Sequence, residues 1–255
     1  QCRTRSISIN CKKQSMWNAM GASVRGPEHR RDGQANQDAW LRTLARGNAL
    51  AVVCDGLGSR THSALGSRAA CRAVVDAVRY WSDVQNAPPE LLLRLIHGLW
   101  NIRVHEAGRD ECATTCLFAV VTKDGRLLLA QLGDGLIMLK TPSGTRTLEP
   151  PTERFGNATT GLGVATDVRE WRYHLEPNFT GTASILLATD GVSDDLVPDK
   201  RADFLDFLVT QYGPRPAAFR TRAIAKELRD WQTPRHRDDK TVAVLWNDAT
   251  TETSP

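Results

Sequence analysis

The sequence predicts an α+β fold with sheets inside and helices outside, and three observations carry that prediction. Helical periodicity comes in two separate pairs of segments, apolar runs of strand length fall before, between and after those pairs, and strict strand–helix alternation is absent. A doubly wound parallel sheet needs that alternation, so antiparallel strands covered by helix pairs are expected instead. With 255 residues, 41% of them hydrophobic, the chain is long enough to bury one large core, which excludes intrinsic disorder.

Residues 1–16 read as a polar, basic leader without the apolar run of a secretory signal. One domain is expected over residues 17–247, followed by a polar tail over 248–255. Strands are expected over residues 18–24 and 39–44, joined by a charged loop whose length is costly unless it is used. Residues 49–54 are a continuous apolar run ending in Asp55-Gly56, as for a buried strand running into a turn. Next, Leu65, Ala69, Ala73, Val74, Ala77, Val78 and Trp81 recur three or four apart, which predicts an amphipathic helix over 63–81 with Ser63 as its cap.

Pro88-Pro89 breaks that helix, and residues 90–107 resume the period through Leu92, Leu95, Ile96 and Leu99. His97, Trp100, Trp81 and Trp231 are read as structural. Residues 114–122 and 126–139 read as two strands around the turn Lys123-Asp124-Gly125. Further strands are expected near 145–148, 169–175 and 182–188, then a second helix pair over 200–212 and 216–231, and a last strand over 241–246.

Charge and cysteine usage narrow the function classes. Lys and Arg total 33 against 29 acidic residues, a dispersed net charge of +4 that predicts no nucleic-acid partner. No apolar run approaches bilayer-spanning length, so no membrane partner is expected. The six cysteines show no CxxC spacing, and Cys54 and Cys116 sit inside apolar runs, which predicts buried reduced thiols and a cytoplasmic location.

Among the acids, 19 are Asp and 10 are Glu, and Asp is the residue of turns, caps and rigid oxygen-ligand sites. Four sites share one local grammar. Asp55-Gly56, Asp134-Gly135 and Asp190-Gly191 each end an apolar strand, and Asp238-Asp239 enters one. A single such dipeptide is an ordinary turn. Four of them at strand ends would bring carboxylates together at a sheet rim, where they repel unless cations sit between them, and hard divalent ions such as Mg²⁺ or Mn²⁺ suit an all-oxygen set.

The ordered set Asn36-Gln37-Asp38, Asp55-Gly56-Leu57-Gly58-Ser59, Ala113-Thr114-Thr115, Gly133-Asp134, Asp190-Gly191-Val192-Ser193-Asp194 and Asp238-Asp239-Lys240-Thr241-Val242 resembles the successive motifs of the protein phosphatase 2C family. The stretch from Gly26-Pro27-Glu28-His29 through Gly33 to Gln37-Asp38-Ala39 is closer to a bacterial branch than to the animal enzymes. The resemblance implies a four-layer α-β-β-α sandwich, two antiparallel sheets flanked by helix pairs. It also implies metal-dependent hydrolysis of phosphoserine and phosphothreonine in proteins by a metal-bridging hydroxide, counteracting a Ser/Thr kinase.

Carried over by position, the resemblance makes Asp55 the carboxylate shared by two ions, Mg²⁺ or Mn²⁺. Asp190 and Asp238 complete the first ion's carboxylates, and the Gly56 carbonyl and the Gln37 side chain serve the second. Asp38 matches a residue that binds through water, and Asp134, with Asp190 or Asp194, matches a third, weaker site. Asp239 stands where many relatives carry Asn and is expected to support Asp238.

The chain departs from the family pattern at three positions. Gln37 replaces the common Glu, a neutral amide for an anionic ligand. Gly33 stands where the phosphate-contacting Arg is usual, so His29, Arg30 and Arg31 of the same loop are the alternatives, His29 and Arg31 being the substrate-binding candidates. Leu57 stands where animal members have His, leaving water or His29 as the proton source, and Ser59 and Arg60 either border the site or cap the next helix. These departures motivate an alternative: a catalytically weak or inactive module of the same fold that binds phosphoproteins or a partner kinase. A glycosidase using two of the carboxylates without metal is the other rival.

Overall fold

The computed structural model describes residues 16–148, 160–231 and 237–247. The expected leader lies outside them except for Met16, as does the whole of the expected tail. Two five-stranded antiparallel sheets form the centre. The first runs β1 (Trp17–Val24), β10 (Lys240–Asn247), β9 (Ser184–Ala188), β6 (Leu136–Thr141) and β7 (Gly144–Leu148). The second runs β2 (Asp38–Ala45), β3 (Asn48–Asp55), β4 (Cys116–Val121), β5 (Leu127–Leu132) and β8 (Arg172–Glu176).

Strand alternation explains the four layers. Along β3 and β4, Ala49, Ala51, Val53, Leu117, Ala119 and Val121 face Ile137, Ile185, Leu187, Ala243 and Leu245 of the other sheet. The intervening Leu50, Val52, Cys54, Phe118 and Val120 turn outward onto helices α2 (Ser63–Trp81) and α3 (Pro89–Val104). On the opposite side, Met138, Leu186, Val242 and Val244 pack against α5 (Arg201–Tyr212) and α6 (Ala217–Asp230). Both faces of the central strands are therefore buried, which is why they read as continuous apolar runs.

The sequence and the structure differ at several boundaries. The run over 126–139 is two strands in different sheets, because Gly133 and Gly135, at φ of +96° and +100°, turn the chain sharply around Asp134. Ser63 is the first residue of α2 and not its cap; His62 holds that position without a side-chain cap bond. The strand expected from residue 169 starts at Arg172, since Asp167 and Glu170 form a capping box on a 3₁₀ turn, Val168–Glu170. Two short helices appear where none was expected, α1 (Pro27–Arg31) and α4 (Asp190–Ser193).

Cys54, Cys71, Cys112 and Cys116 are free and buried, as expected of reduced thiols, and burial pushes the Cys54 thiol well up. Cys2 and Cys11 lie outside the described residues. Among the described residues, no helix is long and apolar enough to cross a membrane.

Candidate metal centre and active site

The two sheets meet at one end in a cleft of about 400 Å³ lined by Gln37, Asp55, Gly56, Asp134, Asp190 and Asp238. The strand ends deliver these side chains from both sheets. Asp55 closes β3, Asp190 opens α4 directly after β9, and Asp238 lies two residues before β10. Asp134 sits in the tight link between β5 and β6, whose carbonyls at Gly133 and Gly135 accept Gln131 Nε2 at 3.2 and 3.1 Å. Arg172 Nη2 adds a third bond, to the Gly133 carbonyl at 2.7 Å. A short rigid link thus holds a short carboxylate over the rim.

Asp55 is fixed through its backbone. Its N–H donates to Thr115 Oγ1 at 2.9 Å, and its carbonyl accepts Thr114 Oγ1 and the Thr115 N–H, both at 2.8 Å. Gly56 bridges to Thr114, and a Cβ there would lie 2.6 Å from the Ser63 carbonyl, so only glycine lets the Asp55 turn sit against the start of α2. The Gln37 carbonyl accepts Ser67 Oγ at 2.5 Å and the Gly56 N–H at 3.2 Å, tying residue 37 to the same turn.

The remaining candidates stand around or behind the cleft. Asp38 is the register partner of Asp55 across β2 and β3 and is buried; its Oδ2 accepts Thr189 Oγ1 at 2.8 Å, and its Oδ1 has no partner. Asp239 is buried and accepts the Gly26 N–H at 2.7 Å and the Gln37 N–H at 2.6 Å. His29 Nδ1 lies 2.9 Å from Asp239 Oδ2 and 3.7 Å from Asp238 Oδ1. Arg31 is exposed and pairs with its neighbour Asp32 at 2.7 Å. Asp194, at the end of α4, is exposed and outside the cleft lining.

Crowding and burial dominate the electrostatics. Burial pushes the Asp55 carboxyl well up, and the charges of Asp38 and Asp190 add to it. Burial likewise raises Asp190, reinforced by Asp134 and Asp238. Asp38 is pushed up to about 7 by burial, with the charge of Asp239 acting the same way against the Thr189 hydrogen bond. For His29, burial opposes the charge, but the Asp239 hydrogen bond and the charges of Asp239, Asp238 and Asp38 outweigh it and raise its pKa. Cations among these carboxylates would favour the charged forms of Asp55, Asp190 and Asp38, and an all-oxygen set with an orphaned buried carboxylate oxygen fits Mg²⁺ or Mn²⁺.

Sequence reasoning left the roles of three parts of the site incomplete, Arg60 having been read as either bordering the site or capping the next helix. Thr114, Thr115 and Thr189 act through hydroxyls on groups far along the chain, a signal no local pattern carries. Asp239 also anchors the loop carrying Gln37, beyond its expected support of Asp238. Arg60 is the cationic residue of the cleft lining among the described residues, and its buried Nε has no partner.

The family model for protein phosphatase 2C matches residues 25–231. No curated protein sequence matches the chain. Among solved structures, a bacterial serine phosphatase carrying a point mutation is 18% identical with a TM-score of 0.66, over 92% of this chain and 100% of that one. The S. agalactiae serine/threonine phosphatase is 15% identical with a TM-score of 0.63, over 91% and 100%. RsbX in complex with magnesium is 15% identical with a TM-score of 0.56, over 91% and 96%. Matched by the family model over residues 25–231, which hold eight of the ten strands and both helix pairs, and folded as these phosphatases are, the chain belongs to the protein phosphatase 2C family of serine/threonine phosphatases.

Proposed function

We propose that this protein hydrolyses phosphoserine and phosphothreonine in protein substrates, using two divalent ions, Mg²⁺ or Mn²⁺, with a third near Asp134. The observation that carries the proposal is the convergence of Asp55, Asp134, Asp190 and Asp238 from two sheets on one cleft that also holds Arg60. Asp55 would be shared between two ions, with Asp190 and Asp238 on the first and the Gly56 carbonyl and Gln37 amide oxygen on the second. When bound, the ions supply an activated water near neutral pH and neutralise the phosphate.

The chain's own groups do the rest. Thr114 and Thr115 lock the Asp55 backbone, so the central carboxylate is positioned before substrate arrives. Arg60 replaces the family's usual phosphate-contacting Arg, offering a guanidinium in the cleft where Arg31 is paired with Asp32 on the surface. Asp38 holds Thr189, the residue before Asp190, and so steadies that ligand from behind. His29 acts by fixing Asp239, and through it the Asp238 loop and Gln37. A protein substrate implies a Ser/Thr kinase as counterpart, and the free buried thiols support a cytoplasmic setting.

Phosphopeptide hydrolysis in Mn²⁺ tests this, comparing the wild type with Asp55→Ala and Asp190→Ala. The expected result is turnover that both variants lower by at least about 100-fold and that chelator abolishes. Wild-type turnover no greater than that of Asp55→Ala would leave the phosphoprotein-binding module. Full activity in excess chelator would favour metal-free carboxylate catalysis instead.

A further inference from the structure

Val164 lines the acidic cleft, and the next four residues, 165–168, line a second cavity of about 380 Å³. Its other wall is α3, through Arg94, His97 and Asn101, with Arg109 from the turn beyond. The two basins share no lining residue.

Asp167 is the one carboxylate among the basin's lining residues, and it, Glu170 and Glu90 are each engaged by other groups. Glu170 accepts Thr160 Oγ1 at 2.9 Å and the backbone N–H groups of Thr166 and Asp167 at 2.8 and 3.2 Å. Asp167 caps the 3₁₀ turn through the Arg169 N–H at 2.8 Å and lies 3.6 Å from Arg169 Nε. Glu90, one turn before Arg94, is bonded by the Tyr173 hydroxyl. Arg94 and Arg109 are thus left without an ion pair or side-chain hydrogen bond among the described residues.

His97 adds a directed donor. Its Nε2 accepts the indole N–H of buried Trp171 at 2.9 Å, so the neutral ring carries its proton on Nδ1, where no group among the described residues accepts it. Burial and the charge of Arg109 lower its pKa, which keeps it neutral. Two guanidinium forks, an imidazole N–H and an amide around a small cavity are the donor set of a tetrahedral oxyanion.

We propose that this cavity binds a phosphoryl dianion, that of a second phosphorylated residue in the protein substrate. Consecutive residues, Val164 and Ala165, join the cleft to the cavity, so one extended substrate segment reaches both. The affinity for a phosphoryl group stands on the cavity alone, whereas its source in the substrate rests on the phosphatase reading.

Titration of inorganic phosphate into metal-free protein tests the affinity, because the cleft then lacks the ions that would draw phosphate to it. Calorimetry should show one saturable site, weakened by salt and at least about tenfold weaker in Arg94→Ala/Arg109→Ala, whose exposed positions leave the melting temperature unchanged. Absence of saturable binding, or binding undiminished in the double variant, overturns the proposal. In Mn²⁺, kcat/KM for a doubly phosphorylated peptide should exceed that for its singly phosphorylated form by about tenfold, and the double variant should remove the difference. Equal values in the wild type overturn the substrate source and assign the cavity to free phosphate. A wild type inactive on both peptides refutes the phosphatase reading and leaves the phosphate titration to judge the cavity.

Discussion

The carboxylate of Asp239 accepts the backbone N–H of Gln37 at 2.6 Å across a separation of 202 residues. The same side chain accepts the Gly26 N–H and contacts His29, so one buried anion gathers the loop before β2 against the entrance of β10. Asp239→Asn puts a donor where one of two acceptors stood and leaves a backbone N–H unpaired. The fold should survive, and the Mn²⁺ concentration for half-maximal activity should rise by about 10–100-fold, with excess Mn²⁺ restoring turnover. An unchanged Mn²⁺ profile would show that this contact does not position the cleft.

Asp38 gives the metal-free protein a pH signature of definite sign. Its pKa is about 7 in the fold against an ordinary 3.8, so between those values the folded state binds a proton that the unfolded chain releases. Its contribution to stability is complete below pH 3.8 and is lost as pH rises through 7. Asp38→Asn cannot ionise and escapes that loss. Melting in chelator should show the variant matching wild type near pH 4 and exceeding it increasingly toward pH 8, while parallel curves would mean that Asp38 does not titrate in this window.

Gln37→Glu restores an anionic donor on a cleft that already holds four aspartates. Divalent-ion affinity follows ligand charge count, so half-saturation with Mn²⁺ should fall by about tenfold. The metal-free variant should melt lower than wild type, because the added charge is then uncompensated. Calorimetric titration with Mn²⁺ reads the first effect and thermal melting in chelator the second.

Two helical glycines should respond oppositely to alanine. At Gly66 in α2 the new Cβ would lie 1.7 Å from the Cys112 carbonyl oxygen, whereas at Gly98 in α3 nothing lies within 4 Å. Helix propensity favours alanine by about 1 kcal/mol at either site, but overpacking against backbone costs about 1–3 kcal/mol or more. Denaturant unfolding should find Gly98→Ala more stable than wild type and Gly66→Ala less. Activity of Gly66→Ala should fall as well, since α2 abuts the Asp55-Gly56 turn through Ser63.

Much of this was legible from residue order because the physics was local. The apolar runs of β3, β4, β9 and β10 are buried on both faces, and the helix pairs show their buried stripes at helical spacing. The strand-end Asp-Gly pairs located Asp55, Asp134 and Asp190, which line one cleft with Asp238. The division of residues 126–139 between sheets was hidden, since apolar residues continue on both sides of the Gly133–Gly135 turn and the positive φ of those two glycines reverses the chain. The supporting hydroxyls of Thr115 and Thr189 were hidden for another reason: their partners, Asp55 and Asp38, lie 60 and 151 residues away. The placement of Arg60 in the cleft depends on how the turn after β3 folds against α2, which no spacing rule encodes.

The division of the cleft between the two sheets has a thermodynamic consequence. Asp55 belongs to one sheet, while Asp190 and Asp238 flank strands of the other, so an ion held among them fastens layers that at this end also meet through Thr189 and Asp38 and through Asp239 and the Gln37 N–H. Ion binding and sheet docking are then one linked equilibrium. Each tenfold rise in free ion above its dissociation constant adds about 1.4 kcal/mol to the folded state. On the proposed function, the divalent ions of the surroundings would set how long the sandwich stays closed as well as how fast it turns over substrate.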